Sequence, residues 1–194
     1  MKSRWPAVIF FLVLALLDNA LALAFPLQTT YTGISFAARF AFLFLIMAAW
    51  TQPLLDRLLW GILAGLVTDL FFTGTFPVFA LLYGLFLVAA GMATKLGTSK
   101  KILYAVSFFL LFLLDFIPYA LTFLLSSDAA YIHEWFYDME LFTLLGNMGA
   151  WFAIWALWQL IREFQLHREE KERRRKERLA ARKKKAKTAR RRTA

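Results

Sequence analysis

Within its apolar stretches the sequence holds a few groups able to do chemistry: Asp18, Arg39, Asp69, Asp115 and Asn147. Polar and ionisable side chains in lipid are costly and face the protein interior, so each needs a partner or a role. Three roles suit them: an ion pair pinning two helices, a proton or ion path, or the lining of a ligand cavity. Catalysis by the familiar constellations is not among them. There is no P-loop, no G-x-S-x-G and no cluster pairing His with carboxylates. His133-Glu134 lacks the second His of H-E-x-x-H, and His167 lies beyond the last apolar stretch. Cysteine is absent, which removes disulfides, thiolate metal sites and cysteine nucleophiles. The reading is of no catalytic residue, no cofactor, no metal and no enzyme.

Six apolar stretches position these groups: Trp5–Phe25, Gly33–Trp50, Leu58–Phe72, Val78–Ala93, Ile102–Leu125 and Leu141–Ile161. A spanning helix needs roughly 20 residues, with about 17 as the lower limit. The third and fourth stretches are short. They predict either a tight hairpin around 73–77 that stops below the outer surface, or spans completed by flanking residues. The fold class expected is all-α and integral to the membrane, with about six transmembrane helices.

Charge orients them. Lys2, Arg4, Arg57, Lys95, Lys100 and Lys101 fall at the N-terminus or in every second connection, while 26–32 and 73–77 have no Lys or Arg. The 126–140 connection carries only Asp128, Glu134, Asp138 and Glu140. By the positive-inside rule both termini of a multi-pass membrane protein are expected in the cytoplasm. Lys2, Arg4 and the run ending at Ala20–Ala24 also resemble a cleavable signal peptide. Pro26 and the unbroken 21-residue stretch favour retention.

Depth then suggests pairs. Asp18 lies seven residues before Phe25, and Arg39 six after Gly33. At 1.5 Å per residue both sit roughly 10 Å below the outer boundary, which predicts an Asp18–Arg39 ion pair. That pair either pins two helices or lines a cavity. Asp69 lies near the outer end of its span, within reach of Thr68 and Thr73. Asp115 precedes Pro118, where a kink is expected because proline cannot donate to the carbonyl of Leu114. Tyr131, Trp135, Phe136 and Tyr137 read as an outer aromatic belt, with Trp50, Trp60, Trp155 and Trp158 as the inner one.

The chain has 194 residues, 60% of them apolar, with 21 Phe. A soluble domain of this size has too little interior for so much apolar surface. The net charge of +10 belongs to one end. Residues 162–194 hold sixteen Lys/Arg against five Glu, whereas residues 1–161 are nearly neutral. Glu169/Arg173, Glu170/Arg174 and Glu172/Lys176 stand at i,i+4, so helix is expected to about residue 180, with fraying beyond. This divides the chain into a transmembrane domain, 1–161, and a basic cytoplasmic tail, 162–194. The tail lacks interleaved aromatics, so it reads as a topology anchor touching anionic lipid rather than nucleic acid.

Gly61-Ile62-Leu63-Ala64-Gly65 is a GxxxG pattern, and Asp69 continues its stripe one turn further. The face Gly61, Gly65, Asp69 suits either a partner's transmembrane helix or another helix of the same bundle. The segment from Gly61 through Asp69 to Gly74, followed by Ala80-Leu81-Leu82-Tyr83-Gly84, resembles the rod shape-determining protein MreD family. Phe76-Pro77 stands where members often carry Gly. The likeness is specific over 61–91 and loose over 1–161.

What the resemblance implies is a non-catalytic membrane subunit of the bacterial cell-wall elongation machinery. Its partner would be an MreC-like single-span protein, and through it MreB and the peptidoglycan synthases. The implied helical fold is similar to the substrate-binding components of energy-coupling-factor vitamin transporters. That kinship supplies an alternative, a small-molecule uptake component with an outward pocket near Asp18, Arg39, Asp69 and Asp115.

Overall fold

The computed structural model describes residues 5–25, 35–70, 77–125 and 131–192. Its helices are α1 (Trp5–Ala24), α2 (Phe40–Ala49), α3 (Leu54–Thr68), α4 (Val78–Ala93), α5 (Lys100–Leu125), the single turn α6 (Ile132–Trp135) and α7 (Leu141–Arg192). No strand occurs among the described residues. Four segments are long and apolar enough to cross a membrane: Trp5–Ala24, Val78–Leu96, Lys100–Leu125 and Ile132–Arg175. The chain forms two compact units, Met1–Trp155 and Ala156–Ala194.

The second apolar stretch departs most from expectation. A single helix from Gly33 to Trp50 is predicted, yet helix begins only at Phe40 and α2 has 10 residues. At 1.5 Å per residue it is about 15 Å long, half a bilayer core. Eight of its ten residues are buried, so α2 is the centre of the first unit rather than a lipid-facing span. It contacts α1, α3, α4 and α5. Lipid offers nothing to an open backbone group, so the non-helical residues before it survive only because other elements bond them.

Both ends of α2 carry a charge that complements its dipole. Asp18 of α1 accepts from the first two amides of α2, Phe40 and Ala41, each at 2.9 Å. At the other end the Arg57 guanidinium donates to the carbonyls of Ala49 at 3.1 Å and Trp50 at 3.3 Å. An acid at the amino end and a base at the carboxyl end satisfy orphan groups and oppose the helix dipole together. Gly91 of α4 makes room for this cap, since a Cβ there would strike the Arg57 guanidinium.

The α3–α4 hairpin is the most closely packed pair. Helix α3 has 15 residues, starting at Leu54 after Pro53, four residues earlier than the hydropathy boundary. Residues 71–76, which contain the expected turn and the end of the third stretch, lie outside the described residues, and α4 keeps the bounds read from the sequence. The 132–140 region is helical rather than a loop: α6 leads through a π-helical turn, Phe136–Glu140, into α7. Trp135 is correspondingly no interfacial belt residue. It is 2% exposed and stacks on Tyr119 of α5 at 4.5 Å between ring centroids. Trp50 is buried too, at 5% exposure.

In the second unit helix continues to Arg192, twelve residues past the expected fraying point. The Arg174–Glu170 pair forms at 2.8 Å, and Arg173 bonds Glu177 at 3.2 Å. The side chains of Glu169, Glu172 and Lys176 lie outside the described residues. Such exposed i,i+4 pairs contribute only about 0.3–0.5 kcal/mol each.

Candidate functional site: a buried polar cluster around Arg39

Residues 35–39 run beside the start of α7. Every second amide points to it: Ser35 N donates to the Asp138 carbonyl at 2.8 Å, Ala37 N to Thr143 Oγ1 at 3.0 Å, and Arg39 N to Asn147 Oδ1 at 2.7 Å. Asn147 Nδ2 returns a bond to the Ala37 carbonyl at 2.8 Å. Gly146 admits the Phe36 ring, whose nearest atom would lie 2.5 Å from an added Cβ. Asn147 therefore acts as a backbone clamp, using its amide as both donor and acceptor.

The Arg39 side chain leaves in the other direction, towards α5. Its Nη2 and Nε donate to the same carboxylate oxygen, Asp115 Oδ1, at 2.7 and 3.1 Å. The guanidinium also lies over the Phe79 ring of α4, 5.4 Å from its centroid. The Asp18–Arg39 ion pair expected from depth is thus not formed. Both residues sit at the mouth of α2, but Asp18 spends its two oxygens on amides and Arg39 takes Asp115 as its partner. Two fixed N–H donors at a helix start suit a carboxylate as well as a guanidinium does, and they leave Arg39 free for the more deeply buried acid.

Asp18 is half-buried, so losing both of its bonds costs about 1–3 kcal/mol. Asp18→Ala is expected to lower the thermal midpoint measurably and Asp18→Asn, which keeps one acceptor, by less. Equal midpoints for Asp18→Ala and the parent protein would refute the cap.

Asp69 repeats this device. Its Oδ1 and Oδ2 accept from Phe79 N at 3.0 Å and Ala80 N at 2.8 Å, in the first turn of α4. Gly61 and Gly65 bring the backbones together: a Cβ on Gly61 would lie 2.6 Å from the Tyr83 carbonyl oxygen, and one on Gly65 would meet Phe79 and Ala80. The Tyr83 hydroxyl reaches back to Thr68 across the same interface. Of the two occupants that the sequence leaves open for the groove of Gly61, Gly65 and Asp69, a partner's helix or another helix of the bundle, it is α4 of the same chain that fills it. The shallow face that invites a foreign helix invites the next helix in sequence more strongly, because the short connection keeps it close.

From sequence alone Thr143 is inconspicuous and Glu140 reads only as part of an acidic connection. Glu140, Thr143 and Asn147 recur at i, i+3 and i+7, so they form one polar stripe on a helix. Thr143, Asn147 and Glu140 are all fully buried. That periodicity was the available signal, masked because Glu140 stands just before the apolar run. Among the described residues no group of three or more His, Cys, Asp or Glu is arranged to hold a metal ion.

The fold and site define a class: an all-helical, multi-pass membrane protein whose intramembrane polar groups cap helices and clamp backbone. Residues 1–165 match the family model described as rod shape-determining protein MreD, and the chain belongs to that family. Membership gives it a role in rod shape determination, within a family of structural membrane proteins not known as enzymes. No curated protein and no solved structure matches the chain.

Proposed function

We propose that the protein is a non-catalytic scaffold of the rod-shape machinery, holding an MreC-like single-span protein and, through it, MreB and the peptidoglycan synthases. The observation that carries this reading is the use made of the polar groups. Asp18, Asp69 and Asn147 satisfy backbone, and Asp115 holds Arg39. A transport site needs polar groups converging on a ligand-sized pocket, whereas these are largely consumed in building the fold. We further propose a six-span topology with both termini cytoplasmic, and a fold akin to that of energy-coupling-factor substrate-binding components. The tail, with a net charge of +11 over 162–194, would lie against anionic lipid, at about 1 kcal/mol per Lys or Arg near the surface.

The test is affinity purification of the tagged full chain from its own membranes, followed by mass spectrometry. MreC-like and peptidoglycan-synthase partners are expected. Recovery of transport ATPases instead would replace scaffolding with small-molecule uptake. Topology is checked separately: a reporter after Ala194 is expected to be active only in the cytoplasm. A cysteine introduced at Ser127 is expected to label from outside intact cells, and labelling only after permeabilisation would overturn the six-span arrangement.

A further inference from the structure

Neither the helix caps nor the scaffold reading gives Glu140 a task. It is 0% exposed, and neither of its carboxylate oxygens has a hydrogen-bond partner. Asp115 shares the condition by half: Oδ1 takes both bonds from Arg39, while buried Oδ2 takes none. Two independent sets of contacts bring these acids to one place. Trp135, five residues before Glu140, packs on Phe112, Phe116 and Tyr119, the α5 turns on either side of Asp115. Thr143 and Asn147, on the same stripe as Glu140, hold the 35–39 backbone from which Arg39 reaches Asp115.

The charges facing this spot can be counted by element. The segment before α2 supplies Arg39, α5 supplies Asp115, and the turn into α7 supplies Glu140; Asp115 and Arg39 are the charges that act on Glu140. From α1, Asp18 is occupied by the amides of α2, and from α4 the neighbouring titratable group is the Tyr83 hydroxyl, engaged with Thr68. Asp138, on the same turn as Glu140, accepts a backbone amide through its carbonyl. The guanidinium is thus bonded to Asp115 alone, and the buried Glu140 carboxyl has no cation bonded to it. An uncompensated carboxylate in an apolar interior is far costlier than a neutral, hydrogen-bonded acid.

We propose that Glu140 is a proton-binding site beside the Arg39–Asp115 pair, in which its buried, unpartnered carboxyl carries the proton. One proton taken from water makes the Arg39–Asp115–Glu140 group neutral. On release the proton returns to water and the group carries one negative charge. A metal cation fits less well, because hard cations ask for about six oxygens or more and, among the described residues, only three side-chain oxygens here lack a partner.

Infrared spectra of the purified full chain near neutral pH test this, compared with Glu140→Gln. The parent protein is expected to show a protonated-carboxyl band that moves on exchange into deuterium oxide and vanishes in Glu140→Gln. The neutral amide keeps the shape and the donor, so its thermal midpoint is expected within about 2 °C of the parent's. Should Glu140→Gln fail to accumulate, labelling glutamate with carbon-13 at the side-chain carboxyl assigns the band in the unaltered protein by its shift. Absence of a protonated glutamic-acid band from the folded, unaltered protein overturns the proposal. So does a sodium-dependent rise of its midpoint without the band, which would make the occupant a cation.

Discussion

Replacing Asp115 by Leu is expected to cost about 3–5 kcal/mol, because it leaves the Arg39 guanidinium in the interior without its anion. Against a total stability of roughly 5–15 kcal/mol that is enough to empty the membrane of folded protein. Arg39→Met is expected to be as damaging, since it leaves the buried Asp115 carboxylate with no cation. The pair itself need not stabilise: attraction barely offsets desolvation, so an apolar pair of similar volume does as well. The double variant Arg39→Met with Asp115→Leu is therefore expected to recover much of the loss in thermal midpoint and membrane level. Coupling between Asp18→Ala and Arg39→Met is expected to be far weaker, because Asp18 bonds amides rather than the guanidinium. Additive single effects at 39 and 115 would mean that the ion pair contributes nothing.

Composition and hydropathy reach as far as they do because they report on side chains. Helix α4 is apolar from end to end and was readable to the residue. Residues 35–39 were not, since their side chains look like any helical membrane segment. What takes them out of helix is backbone bonding to Asp138, Thr143 and Asn147, partners up to 110 positions away. Depth placed Asp18 and Arg39 near one another correctly and still chose the wrong partners, because it counted charges and overlooked the amides freed where α2 begins. From sequence Glu140 reads as part of an acidic connection and Trp135 as a belt residue for a similar reason: the polar Asp138 and Glu140 interrupt the hydropathy, while α6 and the π-helical turn keep the chain helical and both side chains buried.

Gly65→Leu is expected to remove the protein itself and not merely an interaction. The added Cβ alone would run into the backbone of Phe79 and Ala80, and backbone cannot swing aside as a flexible side chain can. Those are the two residues whose amides Asp69 holds, so separating α3 from α4 also frees two buried N–H groups and a buried carboxylate. Overpacking usually costs about 1–3 kcal/mol, and each stranded polar group adds about 1–3 more. Gly61→Leu, set against Tyr83 and Gly84, carries the steric part without the cap and is expected to be the milder of the two. Gly149→Leu is the control, since an added Cβ there meets nothing within 4 Å. Immunoblots of membrane fractions check the order: near-normal level for Gly149→Leu, less for Gly61→Leu, almost none for Gly65→Leu. If Gly65→Leu accumulated normally and lost only its partner, the groove would have to open outward, and the internal clasp between α3 and α4 would be wrong.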